Sequence, residues 1–419
     1  MEKPVNSDEN IQKRKARKER IDFVFAILSL IIAATMPAAA LLGSQGSFGK
    51  LSDFPEYYSV ARMIREGHGS QIYVLDKLFE AQHQDFPQLE SRGIGYYIPP
   101  FATPLITPLG FLPPMQSYLL FLLSSIASLV ASLVILGKHF KLKASNKIWL
   151  ATLLCASAPA FESLKIAQLA PYLLLALSCA LCFLNKKNDI AAGASLAVML
   201  LKPQELFPLL VYGLFSRRFK LIASTVLCGS LLLLISVAMI GLDGYSNYFL
   251  LLKDSATHTQ FMQPELGATV RGQLLRIPFL EQSSVNLMST IVLVVALTKI
   301  AYEAWRKRNL NFEEGLLQLA LPVGLVTALH CHDYDLLLLL PYILSMFCRS
   351  DRSKTAEAAR GFLIILCLFL STPVFVLVHY SMLMRQKMIP NPIFIALALC
   401  AVFSVLSYSS RKPSETGDT

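Results

Sequence analysis

Long apolar blocks alternate with short polar segments along almost the whole chain. A helix needs about 20 apolar residues to cross a bilayer, and seven blocks reach roughly that length: 21–42, 117–137, 166–184, 219–241, 285–305, 361–380 and 391–409. Five shorter blocks are interrupted or bounded by Pro, Lys or other polar residues: 147–160, 189–201, 203–215, 314–330 and 334–347. The pattern predicts an all-α polytopic membrane protein with about 12 membrane segments. A re-entrant pair among the shorter blocks would change that number by two.

The distribution of basic residues supports this arrangement, because short cytoplasmic loops are enriched in Lys and Arg. With a cytoplasmic N-terminus, the short basic loops fall on the cytoplasmic side, and only the loop with Arg385 and Lys387 disagrees. Both termini are then cytoplasmic, and two long loops, 43–103 and 242–284, lie on the outer face. These outer segments carry most of the candidate chemistry. We therefore expect an active site on the outer face of the cytoplasmic (inner) membrane.

Composition excludes several other classes of protein. The chain is 54% hydrophobic and only 16% charged, with a mean hydropathy of +0.52, whereas soluble domains carry about 25% charged residues. The net charge of +10 is explained by basic cytoplasmic loops that face membrane lipids, so we expect no nucleic-acid partner. Cys179 and Cys182 have CxxC spacing but lie inside an apolar helix, which indicates neither a zinc site nor a disulfide framework.

The first outer loop contains a predicted amphipathic helix. Apolar residues recur at helical spacing from Phe54 to Glu66, and Gly67 is typical of a helix C-terminus. Such a helix lies in the membrane interface. Asp53 precedes it and Glu56 follows three residues on, the spacing of a capping box. Asp53 is therefore a helix N-cap, a carboxylate that accepts a proton from a sugar hydroxyl at the bilayer surface, or both.

Two further segments place proline at a predicted membrane boundary. Residues 93–114 contain six prolines, which excludes one straight helix and indicates either a kinked, re-entrant segment or a proline-rich loop. Lys202 lies between the blocks 189–201 and 203–215, at their outer end. It is placed either to bind an anionic headgroup or phosphate, or to mark the membrane boundary as a snorkelling lysine.

The last outer turn combines histidine and carboxylate side chains directly before an apolar block. His330, His332, Asp333 and Asp335 are compatible with metal coordination, with hydrogen bonds to a sugar, or with a polar helix end. Because the sequence identifies no further ligands, we expect no metal site and no cofactor. Arg271, in the second long outer loop, is either a phosphate ligand or a solvated loop residue.

Taken in order along the chain, these motifs resemble one known family. They are Asp53 in Ser-Asp-Phe-Pro-Glu-Tyr-Tyr, Gly67 with Ile72–Tyr73, Tyr96–Tyr97–Ile98–Pro99–Pro100, Gln168 before an apolar helix, Gly193 followed by Leu201–Lys202–Pro203, Ser216–Arg217–Arg218, and His332–Asp333 before a run of leucines. Over roughly residues 20 to 345 the chain resembles glycosyltransferase family 87 (the DUF2029 family), polytopic enzymes of the GT-C superfold.

The resemblance implies a hexosyltransferase that uses a polyprenyl-phosphate-linked sugar donor, with mannose as the sugar in the mycobacterial members, and a glycolipid or glycan acceptor. An acidic residue in the first outer loop of GT-C enzymes is the base, and Asp53 matches that position. Lys202 matches the family's Lys-Pro and, with Arg271, would bind the donor phosphate. Four residues would orient the substrates: Glu56, Gln168, His332 and Asp333. A single displacement at the anomeric carbon would invert its configuration.

The chain also departs from the family pattern. Where the family often has Gly-Gln-x-Asn, this chain has Ala167 before Gln168 and Ala170 in place of the Asn. His330 and His332 are separated by Cys331, whereas the mycobacterial members tend to have adjacent histidines. The first departure weakens the transfer of the family's glutamine role to Gln168. The second weakens the transfer of mannose specificity to this chain.

The predicted organisation is a basic cytoplasmic tail (1–20), a transmembrane catalytic module (21–345), C-terminal transmembrane helices (346–410) and a cytoplasmic tail (411–419). Two other functions compete with sugar transfer: a transporter or flippase of lipid-linked or small polar substrates, and a polymerase or ligase of surface polysaccharide. Transporters usually show internal repeats and ionisable residues inside their spans. This chain shows no repeat, and Lys299 is the main ionisable residue within a block, which favours the transferase.

Overall fold

The computed structural model describes residues 17, 20–25, 27–31, 52–87, 89, 95–255, 264–309, 311–348 and 391–409. These residues form helices and turns and contain no β-strand. Three helices among them are long and apolar enough to cross a membrane: Pro114–His139, Phe219–Asp254 and Gln282–Arg306. They indicate a membrane protein, as predicted. Twelve crossings stay a prediction, and the block 361–380 lies outside the described residues.

The helices follow the predicted apolar blocks. They are α1 (Phe54–Arg65), α2 (Leu75–Asp85), α3 (Pro114–His139), α4 (Ala144–Ala156), α5 (Ala158–Lys165), α6 (Ala170–Asn185), α7 (Asp189–Ala197), α8 (Pro203–Phe215), α9 (Phe219–Ser255), α10 (Val270–Leu275), α11 (Gln282–Arg306), α12 (Leu321–Thr327), α13 (Leu340–Phe347) and α14 (Pro392–Ser409). Short turns join them: 3₁₀ turns at Gly69–Gln71, Pro100–Ala102, Thr107–Phe111, Val198–Leu201, Pro264–Leu266 and Asp333–Leu339, α turns at Thr103–Ile106 and Phe312–Gly315, and a π turn at Leu316–Ala320. Residues 20–25 and 27–31 are also helical.

The long helices present apolar side chains to the surroundings, while one short helix is enclosed. Leu227 and Leu234 of α9 and Val295 of α11 are exposed large hydrophobics, as expected for surfaces that face lipid. Leu173 and Leu177 of α6, in contrast, are fully buried between neighbouring helices. A helix that is apolar on all sides is stable when protein surrounds it, so α6 forms the centre of the helical assembly.

The first part of the predicted outer loop 242–284 is helical, because α9 resumes after a break at Gly241 and runs to Ser255. The chain bends at Gly241, whose φ of 68° lies in the left-handed region that glycine adopts readily. Hydropathy falls at this bend since the following turns carry Asp243, Asn247 and two tyrosines, Tyr245 and Tyr248. The predicted apolar block 219–241 therefore ends where the first helical part of α9 ends.

Close backbone packing between α7 and α9 depends on Gly193. A Cβ atom at this position would lie 2.2 Å from the carbonyl oxygen of Leu221. The hydroxyl of Thr225 also donates to the carbonyl of Gly193 at 2.9 Å. We expect Gly193→Ala to destabilise the protein by about 1–3 kcal/mol, the usual cost of overpacking, and to lower the thermal unfolding temperature in detergent.

Gly137→Ala in α3 is the matched control. Its added methyl group would meet only the flexible side chain of Lys147, at 3.2 Å. We expect this variant to unfold at nearly the wild-type temperature. Equal melting temperatures for the two variants would contradict the close α7–α9 packing.

Candidate active site

One cavity collects polar side chains from widely separated parts of the chain. Its volume is about 720 Å³, within the range of small-molecule sites. Five of the seven predicted site residues line it: Asp53, Glu56, Gln168, Lys202 and His332. The other polar side chains of the wall are Tyr57, Tyr97, Gln204, Tyr248, His330 and Tyr334. The cavity therefore joins the start of α1, the α5–α6 turn, the junction before α8 and the turn after α12.

Asp53 is placed by backbone contacts on both sides. Its N–H donates to the carbonyl of Ile166 at 3.0 Å, which ties the start of α1 to the turn after α5. The hydroxyl of Ser52 accepts the N–H of Phe54 at 3.1 Å. Asp53 is the N-cap residue of α1 by position, but its carboxylate accepts no hydrogen bond from the described N–H groups of this helix, so the side-chain cap is absent. It accepts instead from the side-chain amide of Gln168.

The turn that presents Gln168 is unusual in its backbone. Ala167 has φ 57°, in the left-handed region, where a residue with a Cβ atom pays about 1–2 kcal/mol. The N–H of Gln168 donates to the carbonyl of Ser163 at 2.7 Å and closes the turn. Glycine adopts this conformation without strain. This left-handed conformation at position 167 explains why the pattern Gly-Gln-x-Asn has glycine before the glutamine.

Lys202 lies at a break between two helical segments. Pro203 occupies the first turn of α8, and a residue that precedes proline is disfavoured from helical geometry. Lys202 accordingly has a non-helical backbone, with φ −136° and ψ 79°. Its ammonium donates to the carboxylate of Asp335 and lies 4.6 Å from the ring centroid of Tyr334.

The turn after α12 forms the opposite wall. The rings of His330 and His332 are perpendicular, with centroids 4.4 Å apart, and the His332 and Tyr334 centroids are 5.4 Å apart. The carbonyl of Cys331 accepts the N–H of Ala268 at 2.8 Å, which anchors the turn to the segment before α10. Two histidines and a tyrosine are thus held as a compact aromatic and hydrogen-bonding surface.

The two carboxyl groups at the start of α1 both have raised pKa values. Burial raises the pKa of Asp53 to about 6, while the Lys202 charge and the hydrogen bond from Gln168 act in the opposite direction. Burial and the nearby charge of Asp53 raise the pKa of Glu56 well above its ordinary value. With a pKa of about 6, Asp53 is ionised at neutral pH and can accept a proton, whereas the raised pKa of Glu56 shifts this group towards its protonated form, which can donate a hydrogen bond.

Arg271 and Asp333 lie away from the cavity wall. Arg271 belongs to α10, not to a loop, and its Nε donates to the side chain of Asn286 at 3.3 Å. Asp333 is buried behind the turn; burial raises its pKa to about 7, and the charges of Glu162 and Asp335 add to that effect. Their proposed contact with substrate stays a prediction. Within the described ranges, no group of three or more His, Cys, Asp or Glu residues converges as a metal ion would require.

Several residues of the cavity wall were not identified from the sequence. Tyr248 belongs to the part of α9 that was predicted as a loop. Tyr334 and Gln204 neighbour identified residues but carry no signal of their own; the amide of Gln204 lies 3.4 Å from the carbonyl of His330. Tyr97 could have been identified from the sequence, because it belongs to the Tyr-Tyr-Ile-Pro-Pro motif.

The helices and the cavity define a class of protein: a helical membrane protein whose reactive side chains converge on one cavity. Residues 96–326 match the model of glycosyltransferase family 87. Because the match covers more than half of the 419 residues, the chain belongs to this family and is a membrane glycosyltransferase. The match includes Gln168 and Lys202 and leaves out Asp53 and His332. No curated protein and no solved structure matches the chain.

Proposed function

We propose that this glycosyltransferase moves a hexose from a polyprenyl-phosphate donor to a hydroxyl group of a glycolipid or glycan. The reaction would take place at the outer face of the cytoplasmic membrane, in a GT-C type fold, and mannose is the first sugar to test. One observation carries the proposal: an ionised carboxylate, Asp53, and a lysine ammonium, Lys202, line the same cavity. Transfer from a lipid phosphate needs both a base and a cation.

Asp53 would be the base. Its carboxylate accepts the proton of the acceptor hydroxyl while the hydroxyl oxygen forms a bond to the anomeric carbon of the donor. The bond from that carbon to the phosphate oxygen breaks, and its electron pair leaves with the polyprenyl phosphate. Gln168, which already donates to Asp53, would hold the carboxylate in one orientation. Attack opposite the leaving group inverts the anomeric configuration.

Lys202 would receive the departing phosphate. A phosphate monoester leaves as a stable anion, so positive charge matters more than a general acid. The ammonium of Lys202 supplies that charge at the cavity wall. His332 and Glu56 would orient sugar hydroxyls. Arg271 would add positive charge at longer range. Burial is the main cause of the lowered pKa of His330, and the charges of Lys202 and Arg271 both contribute to it. Asp333 would support the turn from behind.

The apolar part of the cavity suits the lipid of the donor. Phe207 and Pro208 of α8, Leu252 of α9, Leu293 of α11 and Leu329 line this part of the wall. Phe207 and Leu329 are also exposed at the surface. An apolar wall that continues to an exposed surface can accept the first isoprene units while the phosphate lies near Lys202.

Transfer of sugar by the purified protein tests the proposal. The protein in proteoliposomes is supplied with a polyprenyl-phosphate hexose and a glycolipid acceptor, and the product is identified by mass spectrometry and NMR. We expect a hexosylated acceptor with inverted anomeric configuration. A retained configuration would contradict the single displacement. Movement of the intact donor across the bilayer without transfer would favour a flippase.

The acid limb of the pH profile reports on Asp53. A base must be ionised, so we expect kcat/KM to fall as the pH drops through about 6, the pKa of Asp53, whereas an ordinary aspartate would stay active down to about 4. Gln168→Ala removes a hydrogen bond to the ionised form and raises this pKa further. The acid limb should therefore move to higher pH in this variant.

Gln204→Ala serves as the control for this experiment, because Gln204 lines the same cavity without a hydrogen bond to Asp53. Its acid limb should coincide with that of the wild type. An acid limb that Gln168→Ala leaves unmoved would contradict the assignment of that limb to Asp53.

A further inference from the structure

A buried carboxylate behind the cavity wall connects two of the residues that line it. Asp335 is fully buried. One of its oxygens accepts from the ammonium of Lys202, and the other accepts from the backbone N–H of His332 at 3.0 Å. The two contacts come from distant parts of the chain, the start of α8 and the turn after α12. Asp335 therefore fixes the position of the lysine relative to the histidine turn.

The contact leaves Lys202 able to bind a ligand. An ammonium group has three N–H donors, and the carboxylate of Asp335 accepts one of them. The ring of Tyr334 lies beside the ammonium, 4.6 Å from Nζ to the centroid, and restricts its movement. A lysine held in this way presents its remaining donors from a defined position, which reduces the entropy lost when an anion binds.

We propose that Asp335 is a positioning residue that holds the Lys202 ammonium at the cavity wall, beside His332, for the phosphate group of the lipid donor. The identity of the anion rests on the function proposed above. The contact between Asp335 and Lys202 does not, so the two can be tested separately.

Charge balance explains why a carboxylate is needed at this position. Burial lowers the pKa of Lys202, but the carboxylates of Asp335 and Glu205 act in the opposite direction and the pKa lies above its ordinary value. Among the described residues, seven ionisable groups face Lys202 from the elements packed around it: Asp335, Glu205, Cys331, His330, Asp53, Glu56 and Tyr334. Without its bonded partner, a buried lysine would lose its proton at lower pH and with it the charge that binds phosphate.

Glu205 provides a matched control. It is also buried and also close enough to Lys202 to raise its pKa. Within the described part of the chain, however, neither of its carboxylate oxygens has a hydrogen-bond partner. Glu205→Gln therefore removes a buried acid near the lysine without breaking a bond to the ammonium, whereas Asp335→Asn removes the bonded charge.

Amine labelling tests the contact without any substrate. The full-length protein in detergent is treated with a small amine-reactive reagent over a range of pH, and modification of Lys202 is measured by mass spectrometry. In Asp335→Asn we expect the labelling curve of Lys202 to move to lower pH by about one unit or more, as for the loss of an adjacent opposite charge. Glu205→Gln should move the curve less. Equal curves for the two variants would overturn the proposal.

Transfer kinetics test the consequence for the donor. We expect Asp335→Asn to raise the KM for the donor about tenfold, as expected for a weakened charge-assisted contact, and to add little when combined with Lys202→Gln. Asp335→Glu keeps the charge but moves it by one methylene, so it should leave the labelling curve in place and still raise the donor KM. A wild-type donor KM in Asp335→Glu would overturn the positioning role. If the wild type transfers nothing from a polyprenyl-phosphate donor, the proposed function fails, and labelling still decides whether Asp335 holds Lys202.

Discussion

Asp53→Asn is expected to lower the rate of sugar transfer by about 100- to 10,000-fold, the range over which a general base contributes to catalysis. The substitution keeps the size of the side chain and an oxygen that can still accept from Gln168, but it removes the charge that takes the proton. Burial raises the pKa of this carboxyl to about 6, which makes it a stronger base than an exposed aspartate while it stays ionised at neutral pH. Transfer is measured with a radiolabelled or fluorescent donor.

Asp76→Asn is the matched control for this loss. Asp76 is an exposed aspartate in α2, in the same outer segment of the chain and outside the cavity wall. We expect this variant to transfer sugar at nearly the wild-type rate, and both variants to unfold near the wild-type temperature. Undiminished transfer by a folded Asp53→Asn protein would remove the proposed base.

Lys202→Gln is expected to reduce kcat/KM for the donor by about 10- to 100-fold, mainly through a higher donor KM. This range corresponds to the loss of one hydrogen bond to a charged group. Lys202→Arg keeps a positive charge both for the buried Asp335 and for the phosphate, so it should retain more activity than the glutamine variant. Donor titrations in the transfer assay give the KM of each variant.

The thermal unfolding temperature of each Lys202 variant has to be measured together with its donor KM, since Lys202→Gln leaves the carboxylate of Asp335 buried without its cation. Lys77→Gln, at an exposed lysine of α2, controls for the loss of a positive charge elsewhere in the outer segment. A wild-type donor KM in Lys202→Gln would contradict a phosphate contact and would support a lysine that only marks the membrane boundary.

The local chemistry at the start of α1 was predictable, because the helix and its polar residues are contiguous in sequence. The periodicity predicts a helix from Phe54 to Glu66, and the structure has it from Phe54 to Arg65. The contacts of Asp53 were not predictable. Whether a carboxylate caps its own helix or accepts from Gln168, 115 positions away, depends on how distant segments pack, and local spacing contains no information about that.

Two further features could not be predicted from local sequence. Hydropathy measures transfer into lipid, so it does not predict the second part of α9, which is helical but carries Tyr248 and other polar residues. Asp335 was noted only as one of several polar residues in an outer turn. Its role depends on a contact with Lys202, 133 positions away, and the two residue types are among the commonest on any protein surface.

Transfer at the outer face requires the cavity to face the side of the membrane away from the basic loops. Membrane-impermeant maleimide labelling of intact cells tests this most directly, with single cysteines introduced into a cysteine-free background. His68→Cys reports on the segment after α1, and Lys186→Cys reports on a basic loop; both positions are exposed. We expect His68→Cys to react in intact cells and Lys186→Cys to react only after permeabilisation. The reverse result would place Asp53 on the cytoplasmic side and contradict transfer at the outer face.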